Sequence, residues 1–178
     1  VPLMFYPLRM MEAPPESASL APLIGADAVA RGVMRMFARH RIAVQREVAL
    51  RNNRRADLMG VSDKGDVILV EIKCSKADLL GDAKWPDYLD YCDKYYWAIP
   101  PELDAGLLDG PAFLPERSGV IIADGYGGEI LRPAARHPLA PARRKVEVQR
   151  LAILAMRRLN VISDPGLSGA ADFADWEG

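Results

Sequence analysis

The segment ADLMGVSDKGDVILVEIKC, residues 56–74, sets two apolar runs on either side of Ser62-Asp63-Lys64-Gly65-Asp66. Short runs of branched residues bounded by turn formers read as the two strands of a hairpin. Gly65 suits the third loop position of a three-residue connection, where a type I turn passes into the left-handed region. That loop pairs Ser62 with Asp66. The register then runs Val61 with Val67, Met59 with Leu69, and Asp57 with Glu71. Strand side chains alternate, so Glu71 and Lys73 share a face, and Asp57 lands on it opposite Glu71. A slip of one residue would send Asp57 to the other face.

The second strand is apolar apart from these two charges, as in a central strand covered on both sides. A buried carboxylate and a buried ammonium each cost several kcal/mol unless paired or coordinated, and nothing in the local pattern needs them for packing. Two carboxylates with an open edge suit Mg²⁺, which takes one or two carboxylates and leaves its other positions to water and phosphate. Such an ion lowers the pKa of a bound water and stabilises charge on a phosphate. Lys73 would orient that water or, if burial lowers its pKa, take its proton. The bland alternative is a structural ion-pair cluster.

Outward from the hairpin, the elements alternate. Val29, Val33, Met36, Phe37 and His40 keep helical spacing, with Pro22 in the first turn. Ile42, Val44, Arg46, Val48 and Leu50 alternate as a strand, with Arg46 the exception on its face. Ala77–Asp82 and Trp85–Tyr91 read as helical, and Tyr95–Ile99 as a strand stopped by Pro100-Pro101. Val120–Ala123 and Glu129–Arg132 flank Gly125-Tyr126-Gly127-Gly128, a hairpin turn and not a phosphate loop. Arg143–Asn160 reads as a long helix with Val148, Leu151, Ala155 and Leu159 in one stripe. The fold class expected is α/β, an αβββαβ core with a mixed sheet, an extra hairpin and a closing C-terminal helix.

The chain has 178 residues, half of them apolar and 26% charged, enough for one domain with a real core. Residues 1–20, interrupted by Pro2, Pro7, Pro14 and Pro15, are expected to be a flexible lead, with Met10 and Met11 as internal starts. Residues 21–162 form the expected domain, and 163–178 a flexible acidic tail. No run reaches the ~20 apolar residues of a membrane span, and no signal peptide opens the sequence. Cys74 and Cys92 fit a reduced, cytoplasmic protein, and neither has zinc spacing. His40 and His137 stand alone. Oligomeric state is not legible.

Net charge is −1, but it is distributed in blocks. Residues 31–55 hold eight arginines and one acid, Glu47. Residues 57–104 hold eleven acids and five lysines, and 143–158 hold six bases and one acid. Arginine at that density beside a candidate metal site suits backbone phosphates. Arg54 and Arg55, just before Asp57, are the best placed. Glu47 reads as an exposed residue among arginines, with a third metal ligand as the alternative. Trp85, Tyr88, Tyr91, Tyr95, Tyr96 and Trp97 read mainly as core, with one or two free to stack on an unpaired base.

Asp57 followed by Glu71-Ile72-Lys73 on the next strand of an αβββαβ order resembles the PD-(D/E)XK nuclease superfamily. The longer run resembles the MmcB-like DNA repair family more narrowly. It comprises Arg55-Ala56-Asp57, Val70-Glu71-Ile72-Lys73, Asp78, Asp82, Lys84-Trp85, Tyr88, Tyr91-Cys92-Asp93 and Tyr95. The resemblance covers roughly 23–160 and implies a Mg²⁺- or Mn²⁺-dependent endonuclease of DNA repair, with DNA and a repair protein as partners. It casts Asp57 and Glu71 as metal ligands, Lys73 as the residue at the water, and Lys84 and Tyr88 as a phosphate-contacting pair. Ala56 stands where many relatives carry proline. The glutamate many relatives carry on the first helix has only Asp27 near its place, one or two turns early. A different class of function, a catalytically silent module binding DNA or a repair partner, is the alternative. A metabolic enzyme lacks any nucleotide or nucleophile motif here.

Overall fold

Gly65 takes φ 80° and closes the hairpin as its sequence demands. Its N–H donates to the Ser62 carbonyl at 2.9 Å, and Ser62 N–H donates to the Asp66 carbonyl at 3.0 Å. Around that turn the computed structural model, which describes residues 25–169, builds the rest of the sheet. The expected lead and most of the acidic tail lie outside the described residues.

The elements are α1 (Gly25–Arg39), β1 (Ile42–Ala49), β2 (Arg55–Ser62), β3 (Val67–Ile72), α2 (Lys76–Gly81), β4 (Lys94–Ile99), β5 (Gly119–Ala123), β6 (Gly128–Arg132) and α3 (Pro141–Ser163). A 3₁₀ helix, Trp85–Tyr91, joins α2 to β4. The strands form one six-stranded sheet in chain order. β1, β2 and β3 run antiparallel, β4 and β5 join parallel to β3, and β6 closes antiparallel. This is the mixed α/β architecture the alternation implied. The β2–β3 register has Met59 opposite Leu69 and Val61 opposite Val67.

Every residue of β3 is buried because the sheet carries a core on each side. On one side α1 packs Val33 and Phe37 against Leu58, Val70, Ala98 and Ile121. On the other, Met59, Leu69, Trp85, Tyr95, Trp97 and Leu151 form a second core. Trp97 lies 5.2 Å from both Trp85 and Tyr95, ring centre to ring centre, in edge-on contacts. All six aromatics between 85 and 97 are buried, so none of them is free to take a base.

Two expectations change. Arg46 is the charged exception expected on the face of Ile42 and Val44, on the α1 side, where it pairs with Asp27. Ile42 and Val44 pack on that side too, whereas Val48 and Leu50 enter the opposite core. The switch falls at Glu47, whose φ of 52° inserts a left-handed residue into the strand and breaks the period of two. The stripe on α3 also ends early, with Leu151 buried but Leu159 61% exposed. Leu154 still packs on the same core as Leu151, and from Arg150 onward the helix is also held by polar contacts along edge strand β1. Arg158 donates to Gln45 Oε1 at 2.8 Å and to the Arg46 carbonyl at 2.7 Å, and Arg150 to the Ala49 carbonyl at 2.9 Å. These guanidiniums satisfy edge carbonyls that would otherwise be free to pair with another strand. No helix among the described residues is long and apolar enough to cross a membrane.

Gly65→Ala should cost about 1 kcal/mol in urea unfolding, because an L side chain resists that φ. Gly81→Ala, at ordinary φ and with nothing within 4 Å of an added methyl, should stay within about 0.5 kcal/mol of the parent.

Candidate active site

The β2–β3 ladder stops at Leu58 opposite Val70. The next inward N–H, on Ile72, bonds instead to Asp57 Oδ2 at 2.7 Å. A carboxylate thus replaces the carbonyl that a continued ladder would offer, and the two strands part at the carboxyl end of β3. On its other side β3 stays paired, and Lys73 N–H donates to the Ala98 carbonyl at 2.9 Å.

Glu71 and Lys73 sit at this opening with side chains 9% and 8% exposed. Lys73 Nζ lies 3.3 Å from Glu71 Oε1, 2.8 Å from Asp82 Oδ2 and 3.7 Å from Asp78 Oδ1. The two aspartates arrive from α2, four residues apart and so on one side of that turn. Ser75 caps α2 by accepting from Asp78 N–H at 3.1 Å. Asp82 Oδ1 accepts from Lys84 N–H at 3.0 Å, which leaves Oδ2 for the lysine. Asp78 and Asp82 belong to the resembling run, but their partnership with Lys73 is a contact between helix and strand that no local spacing announces.

Burial, and then the neighbouring Asp57 charge, push Glu71 up to about 8, against the pull of Lys73. Its Oε2 is buried and has no hydrogen-bond partner, a costly state for a carboxylate. Burial also raises Asp57, with the Ile72 N–H and the Lys73 charge opposing it. Burial alone would lower Lys73, but the hydrogen bond to Asp82 and the charges of Glu71, Asp82 and Asp78 outweigh it, and the amine is held above its ordinary range. The same bond, with the Lys84 N–H, holds Asp82 below the usual carboxylate range despite burial. The lysine's counter-ion is therefore Asp82 rather than Glu71. The sequence alone admits a lysine depressed by burial and able to take a proton; the surrounding carboxylates reverse that sign.

Glu47 Oε2 is 2.5 Å from Arg55 Nε, so both are engaged with each other beside Asp57. Arg54 bonds Asp87 through Nη2 at 2.8 Å and Nε at 3.2 Å. Tyr88 hydroxyl donates to the Arg55 carbonyl at 3.2 Å, and burial, then the charges of Glu71 and Asp82, push its pKa up to about 12. The Lys84 side chain is exposed. Asp27 is occupied by Arg46 on the α1 side. Among the described residues, no three side chains of ligand type converge on one point; Asp57 and Glu71 are near enough for the Asp57 charge to raise Glu71.

A carboxylate whose pKa is raised on folding stabilises the fold below its unfolded value and loses that contribution as pH rises through the folded one. For Glu71 that window runs from 4.5 to about 8, and Asp57 acts in the same sense. Without divalent cations, the melting temperature of the parent should therefore fall between pH 6 and pH 9. Glu71→Gln should flatten that decline and equal or exceed the parent at pH 9. A parent that gains stability toward pH 9 would show that Glu71 is ionised in the fold throughout.

A search of curated proteins found no match for this chain. A solved structure, the SPO1766 protein of unknown function from Silicibacter pomeroyi, is 43% identical, covers 81% of this chain and 94% of its own, and superposes with a TM-score of 0.73. The family model for DNA repair protein MmcB-like matches residues 24–166. That span runs from α1 through α3 and contains every candidate residue above, and the chain belongs to the MmcB-like DNA repair protein family.

Proposed function

We propose that this chain is an endonuclease of DNA repair that depends on Mg²⁺ or Mn²⁺, its αβββαβ core a version of the PD-(D/E)XK nuclease fold. One observation carries the reading: Asp57 is fixed where the ladder opens, its charge bears on Glu71, and Glu71 presents a buried oxygen without a partner. Family membership supports the DNA repair role.

Asp57 and Glu71 fit a hard divalent cation, since oxygen donors in a pair leave room for water and phosphate. Bound there, the ion supplies Lewis acidity toward a phosphodiester and acidifies water. To hold a cation Glu71 would be in its ionised form, and that negative charge would offset part of the repulsion between the ion and Lys73. Fixed by Asp82, Lys73 keeps its full positive charge next to the pair, where it orients an attacking water and stabilises negative charge on phosphate. The proton of that water leaves to solvent or to another base, since Lys73 already carries its own.

A second reading has its own observation. Lys73 and Asp82 form a complete ion pair at 2.8 Å without any cation, as a silent nuclease-like module binding DNA or a repair partner would need.

Thermal melts with Mg²⁺ and Mn²⁺, beside nicking of supercoiled plasmid, separate the two. On the endonuclease reading, divalent cation raises the parent's melting temperature, more at pH 8.5 than at 6.5, because binding releases the Glu71 proton. Asp57→Asn and Glu71→Gln lose both this shift and nicking. A parent that melts alike with and without cations leaves only the silent module.

Lys73→Met should cost about 3 kcal/mol or more by orphaning Asp82, contrary to the tolerance expected of a merely apolar strand position. Lys73→Met combined with Asp82→Asn should recover most of that stability and keep the cation-dependent shift, yet still fail to nick. Restored nicking in the double variant would remove Lys73 from the mechanism.

A further inference from the structure

We propose that Arg31, Arg35 and Arg39 of α1, with Tyr126 at the β5–β6 turn, form a surface for a single DNA strand, its phosphates along the arginines and an unpaired base on the Tyr126 ring. The proposal rests on the reading of this chain as acting on DNA and specifies the form of DNA it takes.

Most of the arginine-rich character seen in the sequence is neutralised within the fold. Arg46 is paired with Asp27, Arg54 with Asp87, Arg55 with Glu47 and Arg144 with Asp93. The α1 arginines differ. None has a carboxylate at ion-pair distance among the described residues. They recur every four residues, so they lie on one side of the helix about 6 Å apart along its axis. Val29, Val33, Met36 and Phe37 of the same helix face the sheet. An unneutralised basic row of this kind matches a polyanionic chain.

Tyr126 adds a flat apolar face. Its side chain is 85% exposed, unlike every aromatic between residues 85 and 97. Its backbone is nonetheless fixed. Asp124 Oδ1 accepts from Tyr126 N–H at 2.8 Å and from Gly127 N–H at 2.9 Å. Arg35 Nη1 donates to the carbonyls of Gly125 and Tyr126 at 3.4 and 3.3 Å. Gly32 lets the turn come this close to α1, because a methyl there would overlap the carbonyl oxygens of Asp124 and Gly127. The ring is therefore held out from a rigid base beside the arginine row, and little ordering remains to be done on binding. Since β3, β4 and β5 run parallel, this turn leaves the same end of the strands as the carboxyl end of β3, two strands or roughly 10 Å across, while α1 covers the sheet face opposite the one to which Glu71 and Lys73 point. In a duplex the faces of interior bases are covered by their neighbours; in a single strand they are free for an aromatic ring.

The test uses the full chain in EDTA, so that no cleavage intervenes, with fluorescein-labelled 25-mer oligonucleotides, single-stranded and duplex, read by anisotropy across a salt series. The parent should bind the single strand more tightly. Tyr126→Ala should weaken single-strand binding about tenfold, leave duplex binding and the salt slope unchanged, and be rescued by Tyr126→Phe. Arg31→Ala with Arg39→Ala, which spares the Arg35 hydrogen bonds to the turn, should lower the salt slope by about 0.7 for each phosphate that is no longer neutralised. Tyr126→Ala binding like the parent, an equal loss on duplex, or a parent that binds neither DNA overturns the surface. Plasmid nicking by the same variants keeps the two readings apart. Nicking with no change in single-strand binding for Tyr126→Ala defeats the surface and leaves the endonuclease. A tenfold binding loss in a protein whose parent fails to nick with either Mg²⁺ or Mn²⁺ defeats the endonuclease and leaves the surface.

Discussion

The hydrogen bond from Ile72 N–H to the Asp57 carboxylate stands where a ladder bond between β2 and β3 would otherwise run. It ends the pairing of the two strands and fixes the first carboxylate. It also leaves the carboxyl end of β3 open, while β4 holds its other side through Lys73 N–H. Crevices outside the carboxyl ends of parallel strands are where open α/β sheets bind ligands. The bond depends in turn on the hairpin register, and the register on Gly65. One backbone angle, φ 80°, therefore decides which face Asp57 occupies.

The cluster is held against its own electrostatics. Glu71 is buried beside another carboxylate, with one oxygen unsatisfied. A strand covered on both sides can carry that cost because its five apolar residues, Val67–Val70 and Ile72, are packed into the two cores and each fully buried aliphatic side chain contributes about 1.5–3 kcal/mol. The same burial would make Glu71 responsive on the proposed reading, since a cation held at this opening would favour its ionised form.

The fold was legible in the sequence wherever local chemistry is unambiguous. Gly65 fixed a turn type, and the unbroken apolar run fixed β3 as central. The blocks of like charge were misleading because sequence displays charges without their partners. Arg54 and Arg144 are neutralised by acids far along the chain, Arg55 by Glu47 on the neighbouring strand, and Arg158 is engaged by carbonyls of edge strand β1. Alternation failed at Glu47 because a left-handed, non-glycine residue has no signature in a propensity pattern. The aromatic cluster was rightly read mainly as core. Tyr126, read as part of a turn, is the exposed one, and only the packing of that turn on Gly32 and Arg35 shows that it is held in place.

The charge balance at the opening has a consequence for how DNA would be held. Asp57, Glu71, Asp78 and Asp82 surround one lysine, and Glu47 adds a fifth carboxylate nearby that Arg55 offsets. With Glu71 protonated the group is still net negative, and a phosphate approaching it is repelled within a Debye length of about 8 Å. Sequence-independent affinity for a nucleic acid backbone comes from neutralised phosphates, so it has to be generated outside the cluster. A basic row without carboxylate partners among the described residues lies on α1, across the sheet from the cluster. On the proposed reading, binding and chemistry would be separated in space: the strand would be held by a surface that needs no metal, and its scissile phosphate would meet much less repulsion at the acidic opening once a cation is bound there. An arrangement of that kind limits hydrolysis to the cation-loaded protein while leaving DNA affinity intact without it.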